Sequence, residues 1–185
     1  MRGAVPGDRG GGGGAALTPA AVTFDEMLER HGAEVYRFLL QAARNGPDAD
    51  DLYQEAALRA FRGFGRLEPG ANHRAWFYRI ATNAFLDHSR RASRLAPLDA
   101  ASAGAIPARP DDHEARLDAA SALERTAALI AALPPKQRVA LVARRQHDLS
   151  YSEIAALLGC TEAAARANVH EAVRKLRDGL GDLLS

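Results

Sequence analysis

Residues 133–180 read LPPKQRVALVARRQHDLSYSEIAALLGCTEAAARANVHEAVRKLRDGL, and they give the clearest prediction of the fold. Ser150 is followed three residues later by Glu153, a pair that caps the start of a helix through reciprocal hydrogen bonds. Gly159 can take the left-handed backbone conformation that ends a helix, and Thr161 can cap the next helix. This order of signals predicts two helices joined by a tight turn, which is a helix-turn-helix.

The second of these helices is suited to duplex DNA. Its buried stripe consists of apolar residues at helical spacing, namely Ala165, Val169, Ala172, Val173, Leu176 and Leu180. Its outward face presents Arg166, Asn168 and His170 near the N-terminal end, where a recognition helix meets base edges in the major groove. Basic residues that could meet phosphates flank it on both sides, namely Arg144, Arg145, Arg174, Lys175 and Arg177.

A helical hairpin with solvated charges would show a similar pattern. We favour DNA binding because the caps, the turn glycine, the spacing and the local charge all agree. The net charge of the 185 residues is only +1, but local distribution matters more than the sum for nucleic-acid binding.

Composition excludes several classes of protein. The chain is 47% hydrophobic and 25% charged, which is typical of one or two small globular domains. Its single cysteine, Cys160, excludes an intramolecular disulfide and a cysteine-rich zinc site, and it favours a reducing compartment. The sequence has neither a run long enough to span a membrane nor a signal-peptide pattern. We therefore expect a cytoplasmic protein without direct membrane insertion.

The first half of the chain predicts a disordered tail and three helices. Residues 1–22 are rich in glycine and cannot bury enough apolar surface to fold. In residues 23–94, Thr23, Asp48 and Asn72 are the predicted caps of successive helices. The predicted inner stripe of the second helix is Tyr53, Ala57, Ala60, Phe61 and Phe64. That of the third is Trp76, Phe77, Ile80, Ala81, Ala84 and Phe85.

Four carboxylates lie close together at the start of the second helix, namely Asp48, Asp50, Asp51 and Glu55. Such a cluster could bind a metal ion, but acidic residues in a first turn also interact favourably with the helix dipole. Because no histidine is spaced to join them, we prefer the explanation by capping and surface charge. We predict no metal and no cofactor.

The third helix is strongly basic. Arginines outnumber its single acid, Asp87, and aromatic residues alternate with them. Arginines could hold the phosphates of separated DNA strands while aromatic rings and amides accept unstacked bases. For the aromatic residues alone, a place in the core is the better explanation.

Residues 95–112 lack periodicity and predict a flexible linker, and residues 113–185 form the second domain. Asp112 can cap its first helix, which Leu133-Pro134 ends, and Pro135 suits the first turn of the next helix. The predicted fold class is all-α, with two small helical domains and the helix-turn-helix in the second.

Three stretches in this order resemble the sigma-70 family of bacterial RNA polymerase initiation factors, in particular its extracytoplasmic-function (ECF) group. DADDLYQEAALRAF (48–61) is similar to the helix that binds the polymerase clamp. AWFYRIATNAFLDHSRR (75–91) resembles the helix that melts and reads the minus-ten element. Residues 133–177 resemble the domain that binds the minus-thirty-five element.

The resemblance implies the partners and the sites. The implied partners are core RNA polymerase, promoter DNA and an anti-sigma factor. The implied polymerase-binding residues are Asp48, Asp51, Gln54, Glu55 and Arg59. The minus-ten set is Phe64, Arg74, Arg79, Asn83, His88, Arg90 and Arg91, with residues 64–71 as the loop that captures a flipped base. The minus-thirty-five set is Arg144, Arg145, Thr161, Arg166, Asn168, His170 and Arg174.

The chain departs from the family pattern in the recognition helix. The family commonly has basic residues where this sequence has Asn168, Glu171 and Val173. Fewer cations weaken the attraction to phosphate, and Glu171 could repel the DNA backbone. We therefore expect altered upstream recognition, although an asparagine could read adenine.

Two other functions remain as alternatives. A stand-alone helix-turn-helix regulator would use residues 113–184 for DNA and residues 23–94 for dimerisation or sensing. An enzyme could use Cys160 as a nucleophile, but this cysteine lies in the turn, where a small apolar residue suffices. We expect a sigma factor without catalytic activity.

Overall fold

The computed structural model describes residues 22–95 and 124–181, and every regular element within these two ranges is a helix. We number seven helices in chain order, the fourth being the described part of a helix at 124–132. They are α1 (Phe24–Ala43), α2 (Gly46–Phe64), α3 (His73–Leu95), α4 (124–132), α5 (Pro135–Gln146), α6 (Tyr151–Leu158) and α7 (Glu162–Gly181). The all-α prediction is confirmed.

Helices α1 to α3 form the N-terminal lobe. Thr23 caps α1 as predicted, since its hydroxyl accepts from the Glu26 amide and the Glu26 carboxylate accepts from the Thr23 amide. Asn72 caps α3, with its side chain accepting from the Ala75 amide at 3.0 Å. These local hydrogen bonds set where the two helices begin.

Helix α2 differs from the prediction in two respects. It begins at Gly46 with Asn45 at the N-cap and Pro47 in the first turn, so Asp48 lies inside the helix and does not cap it. Proline suits the first turn because its fixed backbone angle matches the helix and its missing N–H is not needed there. Phe61, predicted to be inside, is 65% exposed.

The buried face of α2 instead consists of Ala49, Leu52, Ala56 and Ala60. Small residues at this spacing let α2 pack closely against α1 and α3. The larger Phe61 ring lies at the edge of this contact, where it meets Phe24 edge-on with 5.2 Å between ring centroids.

The buried face of α3 is wider than predicted. Phe77, Ala81, Ala84 and Phe85 are buried as expected, and Trp76 and Ile80 are half-buried. Tyr78 and Thr82, which the predicted stripe omitted, are also fully buried. The extra face is covered because α3 contacts the C-terminal helices as well as α1 and α2.

The C-terminal lobe follows its local signals closely. Pro135 lies in the first turn of α5. Ser150 and Glu153 form the predicted capping box, and Gly159 ends α6 with φ of 60°. The Thr161 hydroxyl accepts from the Ala164 amide at 3.2 Å and so caps α7. Ala155 and Ala165 are both buried between the helices of the helix-turn-helix.

The described helices of the two lobes share one hydrophobic core. His147, between α5 and α6, is inserted against the N-terminal lobe, and its side chain is 5% exposed. Its Nδ1 lies 2.8 Å from the Tyr78 hydroxyl and its Nε2 lies 2.8 Å from Gln41 Oε1. Arg138 on α5 donates to the Ala42 carbonyl at 3.0 Å. The helix-turn-helix is therefore held directly against α1 and α3.

The predicted disordered tail lies outside the described residues, apart from residue 22. The same holds for the predicted linker, apart from residue 95, and for the Asp112 cap. No helix within 22–95 and 124–181 combines the length and apolar character needed to cross a membrane.

Candidate nucleic-acid and polymerase interfaces

One exposed face of α3 presents three of the predicted minus-ten residues. Arg79, Asn83 and Arg90 are exposed, and their spacing of four and seven residues places them along the same side of the helix. Thr82, next to Asn83, is fully buried. The rigid core beneath this face holds the helix in place, and the exposed amide and guanidinium groups remain free of the core.

Arg74 has a different environment from the other predicted minus-ten residues. Its Nε donates to Glu34 Oε2 at 3.0 Å, its Nη2 donates to Glu34 Oε1 at 2.5 Å, and it lies over the Tyr78 ring. These hydrogen bonds lower the pKa of Glu34 and raise that of Arg74. The guanidinium joins α3 to α1, and its contact with DNA stays a prediction.

The predicted polymerase-binding and minus-ten residues meet in an ion-pair network between α2 and α3. Arg59 contacts Glu55 at 2.5 Å and Asp87 at 3.4 Å. Glu55 also lies 3.7 Å from Arg91. His88 lies 3.8 Å from Asp48, and Arg90 pairs with Asp87.

The side chains of this network are about one third to two thirds exposed, so each pair is worth on the order of 1 kcal/mol or less. The carboxylates of α2 nevertheless partly neutralise the cations of α3. The predicted polymerase-binding and minus-ten groups are thus in direct contact.

The exposed face of α2 also contains an apolar patch that the sequence did not reveal. Leu58 is 56% exposed and Phe61 is 65% exposed. With Asp51 and Gln54, both exposed, they lie three or four residues apart along one side of the helix. A mixed apolar and acidic face of this kind is typical of a surface that binds a protein partner.

The loop predicted to capture a base begins in an aromatic cluster. The Phe64 ring is half-buried, meets Phe24 edge-on at 5.6 Å and stacks on His73 at 5.4 Å between centroids. Gly70 has φ of 83°, a conformation that favours glycine. These features define the loop, and its role in base capture stays a prediction.

The predicted recognition helix, α7, has its own pattern of neutralised charges. Arg166 donates to Glu162 at 3.1 Å and Arg174 donates to Glu171 at 2.7 Å, both within one helical turn. The hydrogen bond from Arg174 lowers the pKa of Glu171. His170 is exposed.

Asn168 is less available than its position suggested. Its Nδ2 donates to the Ala164 carbonyl at 2.9 Å, and the residue is half-buried. It lines a cavity of about 700 Å³ between the lobes, and Asn83 lines the same cavity. The structure thus brings the predicted strand-reading and groove-reading asparagines to one cavity.

The basic residues before the turn have separate roles. Arg144 donates to the Leu149 carbonyl at 3.1 Å and lies over the Tyr151 ring, so it supports the entry to α6. Arg145 is exposed and lines an open cleft of about 450 Å³. Tyr151, His170, Glu171, Arg174 and Arg177 also line this cleft, so that its three arginines outnumber its one glutamate. Its charge suits a phosphate-bearing partner.

Comparison with known proteins supports two regions of one family. Residues 27–95 match the model of Sigma-70 region 2, and residues 123–176 match that of Sigma-70, region 4. Among curated relatives, the ECF RNA polymerase sigma factor SigE of Mycolicibacterium smegmatis is 36% identical over 169 residues, which cover 87% of this chain and 63% of SigE. The RNA polymerase sigma factor CarQ of Myxococcus xanthus is 35% identical, with 86% of this chain and 90% of CarQ covered.

Two solved structures have the same fold. The sigma factor RpoE, in complex with the anti-sigma factor NepR from Bartonella quintana, aligns with a TM-score of 0.65 and 21% identity, covering 85% of this chain and 96% of RpoE. CnrH, in complex with the cytosolic domain of CnrY, aligns with a TM-score of 0.60 and 24% identity, covering 86% and 88%. From the matched regions and the curated relatives, we conclude that this chain belongs to the extracytoplasmic-function group of the sigma-70 family of RNA polymerase sigma factors.

Proposed function

We propose that this protein directs core RNA polymerase to specific promoters and stabilises the melted minus-ten region. In this proposal α2 binds the polymerase clamp through Asp48, Asp51, Gln54, Glu55 and Arg59. The apolar pair Leu58 and Phe61 adds contact area. Helix α3 follows the melted strand, and α7 enters the upstream duplex.

The observation that supports this most directly is the exposed row Arg79, Asn83 and Arg90 along one side of α3. An amide between two guanidiniums can read a base while its neighbours hold the flanking phosphates. Family membership favours this function over that of a stand-alone regulator. The proposed domains are residues 23–94 and 113–185.

We also propose that the protein acts by binding alone, in the cytoplasm and without a cofactor. Cys160 packs against the hydrophobic core, which supports a structural role for the thiol. Within the described ranges, no three metal-ligating side chains are grouped to hold an ion. An anti-sigma protein is the proposed regulator, by analogy with the complexes of RpoE with NepR and of CnrH with CnrY.

Reconstitution with core polymerase tests the proposal. The full-length protein and core enzyme are incubated with templates whose upstream region is randomised, and transcript starts are sequenced. We expect the selected templates to share sequence near minus ten and near minus thirty-five. Asn83→Ala should reduce selection at one minus-ten position, whereas Arg125→Gln, on α4 and outside both proposed surfaces, should not. Failure to associate with core polymerase, or starts that are unchanged from core polymerase alone, would overturn the proposal.

A further inference from the structure

Tyr151, the first residue of α6, lies against two guanidinium groups. The Cζ atoms of Arg144 and Arg166 lie over its ring, 5.1 Å and 4.4 Å from the ring centroid. Both distances fall within the range of a cation–π interaction. We propose that Tyr151 is a positioning residue, which aims Arg166 at a guanine in the upstream duplex. This inference rests on the proposed function of α7.

Several contacts restrain the Tyr151 ring. Ser150 and Glu153 form the capping box immediately around Tyr151, with the Ser150 amide donating to Glu153 Oε2 at 2.7 Å. Tyr151 also packs against the hydrophobic core. Arg144 donates to the Leu149 carbonyl at 3.1 Å and so keeps its own place beside the ring. Tyr151 is therefore a fixed platform and not a mobile surface side chain.

Arg166 is the base-reading candidate that this geometry favours most. Its side chain is 54% exposed, and it is the fifth residue of α7, close to the end that meets base edges. Asn168 is half-buried and bonded to its own helix. Arg166 uses Nη2 for Glu162, and a guanidinium has five N–H donors, so donors remain for guanine O6 and N7.

Positioning matters because an arginine side chain has many rotamers. Ordering a free arginine costs conformational entropy, which would be subtracted from the free energy of any base contact. Contacts with Tyr151 on one side and Glu162 on another restrict the guanidinium before DNA arrives. Removing the ring should therefore reduce discrimination between bases more than it reduces attraction to phosphates.

Two simpler roles of Tyr151 predict different results. If its hydroxyl bonded a DNA phosphate, Tyr151→Phe would weaken binding to every sequence. If the side chain only filled space, Tyr151→Leu would preserve discrimination as long as the protein stayed folded. In a positioning role, the ring is required and the hydroxyl is not.

The test uses the holoenzyme on the upstream element found by transcript-start sequencing. Each guanine of that element is replaced in turn by 7-deazaguanine, which lacks the N7 acceptor, and the binding affinity is measured. At one position, wild type and Tyr151→Phe should lose about tenfold in affinity, because the bidentate arginine–guanine pair loses one of its two acceptors. Tyr151→Leu and Arg166→Ala should lose less than about twofold there.

The matched control is Tyr36→Leu, which removes an aromatic ring that pairs with Tyr53 on the N-terminal lobe. It should keep the full 7-deazaguanine effect. The slope of log affinity against log salt should be the same for Tyr151→Leu and wild type, because the ring contributes no phosphate contact. Thermal unfolding verifies that Tyr151→Leu is folded, and Tyr151→Phe provides the conservative variant.

Three results would overturn the inference: full discrimination in Tyr151→Leu, lost discrimination in Tyr151→Phe, or no sensitivity of wild type to 7-deazaguanine at any guanine. In each case, start-site selection in the same reactions shows whether the proposed function survives. If core polymerase selects no promoters with this protein, the proposed function fails together with the inference.

Discussion

The two helices that we propose to face DNA, α3 and α7, neutralise their cations in different ways. On α3, Arg74 and Arg91 pair with carboxylates of other helices, Glu34 on α1 and Glu55 on α2, whereas Arg90 pairs with Asp87 of its own helix. On α7, Arg166 and Arg174 each pair with a glutamate one turn away in the same helix, Glu162 and Glu171 respectively. A local pair depends only on sequence spacing. A pair between helices depends on packing, and it also competes with any partner that binds the same carboxylate.

The difference matters because α2 is the proposed polymerase-binding helix. A basic partner surface that binds Glu55 would release Arg91 toward DNA. No comparable release is expected for α7, because its glutamates move with the helix. Substitutions in both lobes test this difference between α3 and α7.

Glu171→Arg should tighten binding of the holoenzyme to upstream duplex DNA by about tenfold or more at 0.1 M salt. The change frees Arg174 and adds a cation, and each new phosphate contact steepens the log–log salt slope by about 0.9. Affinity measured across a salt series tests this. Asp178→Arg, with the same charge change further along α7, is the matched control. Equal gains from both variants would mean that only net charge matters.

Glu55→Gln should raise the affinity of the free protein for single-stranded DNA by about fivefold at 0.1 M salt, as expected for one additional phosphate contact. The gain follows because Arg59 and Arg91 lose a shared carboxylate. Fluorescence anisotropy with a labelled oligonucleotide measures it. Asp50→Asn removes the same charge from α2, but its carboxylate bonds Tyr36, so its gain should be smaller. An equal gain would contradict masking of cations between helices.

His147 tests whether the two lobes depend on each other. Burial lowers the pKa of His147 from its ordinary value of 6.5, and Glu34 opposes that shift. Arg37 and Arg74 act in the same direction as burial, whereas Asp148 opposes it. The folded protein therefore resists protonation while the unfolded chain accepts a proton below pH 6.5. The stabilisation is fully present above pH 6.5 and is lost as pH falls below that value.

We expect Tm to fall by at most about 4 °C from this one group between pH 7 and pH 5. His31, whose pKa is also lowered mainly by burial, has the same sign. His147→Gln should thus show a shallower but still measurable dependence on pH. The exposed His170→Gln should follow wild type, and a His147→Gln profile identical to wild type would rule out this role.

Cys160→Ala should have the smallest effect. The thiol is half-buried in the turn between α6 and α7 and packs against the core. Alanine keeps a small apolar group there, so transcription with core polymerase should stay within about twofold of wild type. A larger loss would show that the turn between α6 and α7 does more than connect these two helices.

Local sequence signals were enough to predict where most helices begin and how the helix-turn-helix is built. Thr23, Asn72, Ser150 and Thr161 each act through a hydrogen bond to a backbone amide three residues away, and Gly159 acts through its own backbone angle. Interactions between residues three or four positions apart can be predicted from the sequence pattern. The prediction for Asp48 was wrong because Asn45-Gly46-Pro47 started the helix earlier.

The surroundings of each side chain depend on tertiary packing and were seen only in the structure. Phe61 lies outward because the small residues of α2 face the core. Tyr78 is buried because the C-terminal lobe covers it. Arg74 and His147 bond residues 40 and 106 positions away. Such contacts depend on how whole helices pack, and residue spacing along one helix contains no information about its neighbours.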